Sequence, residues 1–237
     1  MHPVVIVAGG YGTRIKKFSK GNPKILLNID GNPFIYYLLN YLQTHGVKKV
    51  IICSGFGHLK IKKYIYKNKY KFNKLKIKIS YEGKKRLGTA GSIRSAIKLL
   101  KDNFIIIYGD NLFNFNFKKL LKMKIKKNKS GLMIIKKNDS NYIKSNVIRN
   151  KKSFFYKKKS KGNGQYYDYG ILLFRKKVFK NLIKFKKYDL SDICENLSKK
   201  NEIDFIITKK KLIEIGSIRG YQVFQKKIYE FYKEISN

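Results

Sequence analysis

The chain has 237 residues, of which 43% are hydrophobic, and its 55 lysines and arginines against 14 acidic residues give a formal net charge of +41. This apolar content excludes an intrinsically disordered chain, and no apolar run approaches the roughly 18–20 residues of a membrane-spanning helix. The charge favours polyanionic partners, yet arginine, the residue preferred for bidentate phosphate and base contacts, supplies only six of the basic residues. The lysines are spread along the whole chain, so we interpret the charge as compositional drift, with a basic nucleic-acid-binding protein as the alternative.

Strands and helices alternate in the first half of the chain. Short β-branched runs predict buried strands, and apolar residues at helical spacing predict the helices between them. This alternation predicts an α/β fold in which helices cover both faces of a mostly parallel sheet. The predicted strands are 4–8, 48–55, 74–82 and 104–113, and the predicted helices are 32–46, 58–68 and 91–103.

The pattern changes in the second half, where segments 131–138, 145–158 and 167–179 predict antiparallel strands added to the same sheet. A helix is predicted at 189–201, where acidic residues in the first turn suit the helix dipole. Strands within 203–218 and a closing helix at 219–235 follow. Because no linker or internal repeat interrupts the chain, we predict one domain over residues 1–237.

The first predicted strand runs directly into the stretch AGGYGTR, with glycines at positions 9, 10 and 12. A dinucleotide fingerprint needs a later third glycine and an acidic residue after the second strand, and a P-loop needs Gly-Lys-Ser/Thr; the chain has neither. What remains is a glycine turn whose backbone N–H groups can approach an anion beside the Arg14 guanidinium. A plain strand-to-helix turn is the alternative.

Polar residues also follow the other predicted strands. Ligands bind beyond the carboxyl ends of the strands in open parallel sheets, and residues 9–14, 82–91 and 109–110 all fall there. Asp110 directly follows a buried strand, where a carboxylate is costly unless it is paired or binds a metal ion. A turn or capping acid is the alternative reading of Asp110.

The cysteines and histidines match no metal or redox motif. Cys53 and Cys194 have no ligand or disulfide spacing, which predicts a reducing cytoplasm, and the first residues do not read as a signal peptide. The three histidines form no metal-spaced cluster and are expected in surface or turn positions.

Five motifs follow the glycine stretch and its downstream NPK in a fixed order: LGTAGSI (87–93), YGDNLF (108–113), YDYGILLF (167–174), YDLSDI (188–193) and IEIGS (213–217). With them, nearly the whole chain resembles the sugar-1-phosphate nucleotidyltransferases. The resemblance implies the Rossmann-like mixed sheet of the nucleotide-diphospho-sugar transferase fold, with a nucleotide-binding half at 1–125 and a sugar-phosphate-binding half at 126–237. It also implies that an NTP and a sugar 1-phosphate are joined to give an NDP-sugar and pyrophosphate, for cell-surface polysaccharide.

The resemblance further implies roles for individual residues. Arg14, Lys24 and Asp110 would carry the transfer, and Mg²⁺ would be the cofactor, held by Asp110 and Glu214. The residues implied for NTP binding are Gly9, Gly10, Gly12, Thr13, Glu82, Gly88 and Thr89, and those implied for the sugar phosphate are Lys157, Asp168 and Gly170.

Two positions depart from the family pattern, since many relatives have aspartate at position 214 and an acidic residue at the position of Tyr156. A solvated loop acid is the alternative reading of Glu82. The expected partners are therefore an NTP and a sugar 1-phosphate, with no specific nucleic acid, no membrane insertion, and homo-oligomerisation left open. Cytidylyl or guanylyl transfer to a non-sugar phosphate, and a catalytically silent regulatory relative, are the rival functions.

Overall fold

The computed structural model describes residues 1–139, 143–150, 153–158 and 165–236. Within these residues, nine strands form one twisted sheet, and two pairs of short strands lie beside it. The strands are β1 (Val4–Ala8), β2 (Asn28–Ile29), β3 (Asn32–Pro33), β4 (Lys49–Ser54), β5 (Lys76–Tyr81), β6 (Asn103–Tyr108), β7 (Asn111–Phe113), β8 (Gly131–Lys137), β9 (Val147–Asn150), β10 (Ser153–Tyr156), β11 (Tyr166–Arg175), β12 (Ile203–Thr208) and β13 (Leu212–Glu214).

The helices connect these strands and pack on both faces of the sheet. They are α1 (Lys16–Ser19), α2 (Phe34–Thr44), α3 (His58–Lys67), α4 (Gly88–Ser95), α5 (Phe117–Leu120), α6 (Lys177–Lys180), α7 (Leu190–Lys199) and α8 (Ile218–Ser236). Short 3-10 turns occur at Thr13–Ile15, Lys24–Leu26, Lys69–Phe72 and Ile97–Leu99. None of the helices in the described part of the chain has the length and apolar character needed to cross a membrane.

The sheet has the order β10-β9-β11-β6-β1-β4-β5, with β8 pairing with β11 and β12. β1 runs parallel to both β4 and β6, and β4 runs parallel to β5. β11 is antiparallel to β6 and β8, whereas β12 is parallel to β8. The predicted mostly parallel α/β sheet is confirmed, and strands from both halves of the chain belong to it.

Apolar residues on opposite faces of the sheet form two hydrophobic cores. Successive residues of a strand point to opposite faces, so Val4 and Ile6 pack in one core and Val5 packs in the other. α2, α3 and α8 cover the first core, and α4 and α7 cover the second. Burial on both faces explains why the central strands read as continuous apolar runs.

The predicted strand 104–113 is divided in the structure at Gly109 and Asp110. A Cβ atom at Gly109 would lie 2.9 Å from the carbonyl oxygen of Val7, so a side chain is excluded where the chain leaves β6. The chain then turns into β7, which pairs with β13 instead of the main sheet. This break places Asp110 beside the strand that ends at Glu214.

The predicted helix 91–103 is also shorter than expected. α4 begins at Gly88 and ends at Ser95, and a 3-10 turn follows before Leu100 becomes extended and leads toward β6. The strand prediction for 167–179 likewise ends early, because β11 stops at Arg175 and α6 follows it.

β11 contains an irregularity near its start. Its pairing with β8 changes register between Asp168 and Leu172, and Gly170 in this interval has a φ of +85°. β-bulges of this kind redirect neighbouring side chains, and the left-handed φ favours glycine. A Cβ at Gly170 would also meet the Asn111 side chain at 2.2 Å, so the bulge lies directly against the turn after β6.

Candidate active site

Three charged side chains converge where β6 and β13 end. Lys24 begins the 3-10 turn after Pro23, and its Nζ lies 2.6 Å from Oδ2 of Asp110. A Cβ atom built on Gly216 would lie 2.5 Å from Oε2 of Glu214, 2.8 Å from Oδ2 of Asp110 and 3.2 Å from Nζ of Lys24. The three functional groups therefore surround one point above Gly216.

Backbone pairing and hydrogen bonds fix the two carboxylates. Glu214 pairs with Asn111 across the β13–β7 ladder, and the Ile215 N–H donates to the Asp110 carbonyl at 2.8 Å. The Gly216 N–H donates to Oε2 of Glu214 at 2.9 Å, and the Ser217 hydroxyl donates to Oε1 at 2.6 Å. Glu214 is thus held with one donor on each oxygen.

The pair Asp110 and Glu214 has the chemistry that a magnesium site needs. Among the residues that the structure describes, no group of three or more His, Cys, Asp or Glu side chains could hold a metal ion. Mg²⁺ is nevertheless commonly bound by one or two carboxylates together with substrate phosphates and water. The two carboxylates that meet at Gly216 fit such a site, and the Lys24 ammonium beside them offsets part of their negative charge.

The glycine stretch borders a cleft of about 180 Å³ that reaches these charged groups. Gly10 lines this cleft together with Lys24, Thr89, Tyr108 and Asp110, and a Cβ at Gly10 would meet nothing within 4 Å. Backbone amides and a ligand can therefore approach each other closely here.

The other two glycines of the stretch have different neighbours, and Gly12 is the one beside Lys24. Gly12 has a φ of +62°, and a Cβ there would lie 3.4 Å from Cβ of Lys24. Thr13 and Arg14 are exposed in the following 3-10 turn. Gly9 packs on the other side of the loop, against Glu82. The predicted nucleotide-binding turn is thus next to the Lys24–Asp110 pair.

Glu82 is a buried carboxylate, so the alternative reading as a solvated loop acid is wrong. A Cβ atom built on Gly9 would lie 2.7 Å from Oε1 of Glu82, and a Cβ atom built on Gly55 would lie 2.0 Å from the same oxygen. The Glu82 side chain therefore lies between these two glycines. Burial raises the pKa of Glu82, and the Leu87 N–H and the Arg86 charge oppose that rise. Glu82 also lines a second cavity, of about 590 Å³, at the ends of β4 and β5.

Aromatic and cationic side chains form the wall of this second cavity. The Tyr11 and Phe56 rings have centroids 4.9 Å apart, and the Arg86 guanidinium lies 4.7 Å from the Tyr11 ring centroid. His58, expected in a surface or turn position, hydrogen-bonds through Nδ1 to the Ser54 hydroxyl at 2.8 Å and begins α3. The cavity therefore has aromatic walls, and it carries both a hydrogen-bond-donating cation, Arg86, and an accepting carboxylate, Glu82.

The LGTAG motif joins α4 to the start of α7. Gly88 has a φ of +73°, and a Cβ there would lie 2.4 Å from the Tyr188 carbonyl oxygen. The Thr89 hydroxyl accepts the Leu190 N–H at 2.6 Å and so satisfies a free amide at the first turn of α7. Thr89 also lines the smaller cleft. It therefore both stabilises the contact between α4 and α7 and borders the candidate site.

The predicted sugar-phosphate residues lie on the other side of β6. Asp168 accepts hydrogen bonds from the Gly170 N–H at 2.8 Å and the Tyr108 hydroxyl at 3.0 Å, and burial raises its pKa to about 6. Lys157 is exposed, and its backbone N–H donates to the Asn146 carbonyl at 2.8 Å. No described contact joins the Lys157 side chain to the group around Gly216.

Several residues of the site were not identified from the sequence. Gly216 and Ser217 stand in the motif IEIGS, and Gly55 and Tyr108 stand at strand ends, but none has a chemical signature by itself. Their importance depends on close approach and hydrogen bonding, which only the folded chain brings together.

Comparison with known proteins gives consistent matches over almost the whole chain. A family model described as Nucleotidyl transferase matches residues 3–230. The D-glycero-alpha-D-manno-heptose 1-phosphate guanylyltransferase of Campylobacter jejuni is 29% identical over 226 residues, covering 93% of this chain and 97% of the relative. The enzyme of the same name from Aneurinibacillus thermoaerophilus is 26% identical over 231 residues, covering 96% and 98%.

A solved structure, HddC from Yersinia pseudotuberculosis, superposes on the chain with a TM-score of 0.78 and 25% sequence identity. The match covers 96% of this chain and 100% of that one. A second crystal structure of HddC, complexed with GMP-PN, matches equally well.

Proposed function

The chain belongs to the nucleotidyl transferase family, and on that premise we propose that it transfers a guanylyl group from GTP to a sugar 1-phosphate, releasing pyrophosphate. The observation that carries the proposal is the convergence of Lys24, Asp110 and Glu214 beside the glycine stretch. The two guanylyltransferases that resemble the chain over nearly their whole length support the choice of GTP. Their names support a heptose 1-phosphate as acceptor, and hence a role in surface polysaccharide synthesis.

In the proposed reaction, a phosphate oxygen of the acceptor attacks the α-phosphorus of GTP in line, and the bond to pyrophosphate breaks. Negative charge spreads over the crowded phosphate oxygens, so cations and N–H donors that are already in place lower the barrier. Lys24 would contact the reacting phosphates, the amides of the glycine stretch would hold the triphosphate, and Arg14 would bind its β and γ oxygens. Mg²⁺, held by Asp110 and Glu214, would neutralise phosphate charge.

The proposed arrangement places the substrates along the carboxyl ends of the strands. The cavity above β4 and β5 would hold the base, the cleft between β1 and β6 the phosphates, and the region of Asp168, Gly170 and Lys157 the sugar phosphate. Guanine presents two adjacent donors, N1–H and the N2 amino group, and a carboxylate such as Glu82 accepts both. A cytoplasmic site for the reaction is supported by Cys53 and Cys194, which are both free and buried.

The direct test of the proposal is a screen of the four common NTPs against several sugar 1-phosphates and two non-sugar phosphates, with Mg²⁺ present and pyrophosphate release as readout. GTP with a heptose or hexose 1-phosphate should give the highest rate. Equal or higher rates with CTP and a non-sugar phosphate would favour the rival acceptor. Absence of pyrophosphate from every pair would remove the proposal.

Replacement of Glu82 by glutamine should reduce selectivity for GTP. The change replaces an acceptor oxygen with a donor, so kcat/KM for GTP should fall by on the order of 10²-fold while that for other NTPs changes little. Glutamine has the same size and keeps the packing between Gly9 and Gly55, so the melting temperature should change by less than about 4 °C. Unaltered discrimination among the four NTPs would show that Glu82 does not contact the base.

Replacement of Gly216 by alanine should lower activity more than stability. The φ of Gly216 lies outside the left-handed region, so alanine fits the backbone, but its Cβ would displace the ends of Lys24, Asp110 and Glu214 together. These ends are flexible, so we expect kcat/KM to fall by about 10²-fold and the free energy of unfolding to change by about 1 kcal/mol or less. Full activity in Gly216→Ala would mean that the three groups do not act as a unit.

A further inference from the structure

β12 lies at an edge of the nine-stranded sheet. It runs parallel to β8 on one side, and within the described part of the chain no strand pairs with its other side. The backbone groups of an unpaired edge can bind a strand of another chain, so native edge strands usually carry charged side chains that prevent such pairing. The residues of β12 therefore decide whether this edge is protected or open to a partner.

The backbone alternation of β12 identifies the groups that face away from β8. The Glu202 carbonyl accepts the Gly131 N–H at 3.3 Å, so residue 202 directs its backbone toward β8. Successive residues of a strand alternate in this direction, and the register with β8 is continuous from 203 to 208. The N–H and C=O groups that point to the free edge are therefore those of Ile203, Phe205 and Ile207.

The side chains of the same three residues form an apolar strip along the edge. Ile203 is buried, the Phe205 ring lies 5.9 Å from the Phe154 ring between centroids, and Ile207 is 48% exposed. β12 contains no lysine or arginine, although 55 of the 237 residues of the chain are basic. The edge thus offers apolar side chains and unpaired backbone groups without a barrier of like charge.

β5, at the opposite end of the sheet, is protected in the way that β12 is not. Its Lys76 and Lys78 are both exposed, and lysines on an edge strand oppose pairing with a second copy of that strand. The charged residue of β12 is Asp204, which pairs with Lys126 at 3.1 Å and Lys129 at 3.6 Å in its own chain. Of these two edges, β12 is the one open to another strand.

We propose that β12 is a dimerisation edge, at which the β12 strands of two copies of this chain pair antiparallel about a two-fold axis. In a register centred on Phe205, this residue pairs with its own copy, and Ile203 pairs with Ile207 of the second copy. This register satisfies all the outward N–H and C=O groups of β12 and covers the exposed Ile207 with an isoleucine. The proposal is independent of the function proposed above.

The charges at the two ends of β12 favour a second copy as the partner. Glu202 stands directly before the strand, and Lys209 and Lys210 stand directly after it. Antiparallel pairing brings the start of one strand beside the end of the other, so acidic and basic residues meet at both ends of the interface. The apolar residues and the charges of this edge are therefore both self-complementary.

The salt dependence of association distinguishes a second copy from a polyanionic partner. Two chains with a formal net charge of +41 repel each other, and salt screens this repulsion. Sedimentation velocity over a micromolar concentration series should therefore show a dimer whose Kd falls by on the order of 10-fold between about 50 and about 500 mM NaCl. Binding to nucleic acid would weaken over the same range. A protein that stays monomeric at both salt concentrations would overturn the proposal.

Ile207→Lys tests the edge itself, with Ile183→Lys as the matched control. Ile207→Lys gives β12 the kind of residue that protects β5 and brings like charges together in the dimer, so Kd should rise by at least about 10²-fold. Ile183 is 62% exposed and lies outside the strands, so Ile183→Lys should leave Kd within about twofold. Both variants should keep melting temperatures within about 4 °C of wild type. An unchanged dimer in Ile207→Lys would refute an interface at β12.

Charge reversal tests the antiparallel arrangement. In the register centred on Phe205, position 202 of one copy lies diagonal to position 210 of the other, within reach of long side chains. Glu202→Lys and Lys210→Glu should each raise Kd by about 10-fold, and the double variant should return it to within about threefold of wild type. A double variant that is no better than the single variants would contradict the antiparallel pairing.

The size of the assembly and the activity complete the test. A two-fold pair of edges closes on itself, so association that continues beyond the dimer would overturn the proposal. Ile207→Lys should release pyrophosphate as wild type does, because β12 contributes no residue to the candidate active site. A wild-type protein that dimerises as expected but joins no NTP to a sugar 1-phosphate would remove the proposed function and leave the dimerisation edge standing.

Discussion

Replacement of Asp110 by asparagine should lower kcat/KM for pyrophosphate release by at least about 10³-fold. The carboxylate lies 2.6 Å from Lys24 and faces Glu214 across Gly216, so asparagine removes one of the two anionic ligands proposed for Mg²⁺. Loss of several kcal/mol of charge stabilisation in the transition state corresponds to that factor. Initial rates at saturating and limiting GTP, over a range of Mg²⁺ concentrations, measure the effect.

Asp204→Asn is the matched control for this variant. Asp204 also pairs with lysines, and its side chain is 22% exposed, compared with 24% for Asp110. It lies on β12, away from the strand ends that form the site, so its loss should leave kcat/KM within about twofold. Asp110→Asn should keep its melting temperature within about 4 °C of wild type. An Asp110→Asn enzyme with more than a tenth of wild-type activity would contradict the proposed role.

Replacement of Lys24 by methionine should have an effect of similar size, on the order of 10³-fold in kcat/KM. Methionine keeps the length of the side chain but removes the ammonium group, which balances Asp110 and would contact the reacting phosphates. Removal of the ammonium leaves Asp110 and Glu214 facing each other without a nearby cation. The more negative site should bind Mg²⁺ more tightly, so the half-saturating Mg²⁺ concentration should fall. The half-saturating Mg²⁺ concentration, measured alongside kcat, reports this second effect.

Lys129→Met provides the control for a lysine that pairs with an acid elsewhere. The Lys129 side chain is 9% exposed and pairs with Asp204 at 3.6 Å, and its Nζ also donates to the Asn201 carbonyl at 2.6 Å. We expect Lys129→Met to lose stability but not activity, and Lys24→Met to do the reverse. Equal loss of activity in both variants would indicate a general effect of charge removal and would count against a specific role for Lys24.

The predicted fold followed from periodicity because the strands of this chain are buried on both faces. Val4–Ala8 and Lys49–Ser54 were found within one or two residues of their predicted bounds. The strand predicted at 104–113 ran through this break because Leu112 and Phe113 resume the apolar pattern, although Asp110 was expected to follow a buried strand directly. Only the close approach of Gly109 to Val7 and the pairing of β7 with β13, both long-range features, force the chain out of the sheet there.

The site was predictable to the extent that its residues stand in motifs. The order of the motifs allowed Lys24, Asp110 and Glu214 to be assigned to one site. Their convergence at Gly216 depends on the pairing of β7 with β13, two strands that are far apart in the sequence. The environment of Glu82 could not be anticipated, because the two glycines that enclose it are far away in the sequence. The hydrogen bond between Tyr108 and Asp168 lies beside the register change at Gly170, and no local sequence pattern indicates either feature.

Guanylyl transfer itself is measured by incubating the wild-type protein with GTP, a heptose 1-phosphate and Mg²⁺ and quantifying both products by mass spectrometry. We expect equimolar pyrophosphate and GDP-heptose, formed faster than the product with any other NTP. Absence of any nucleotide sugar, or hydrolysis of GTP without transfer to the sugar phosphate, would rule out guanylyl transfer as the activity of this chain.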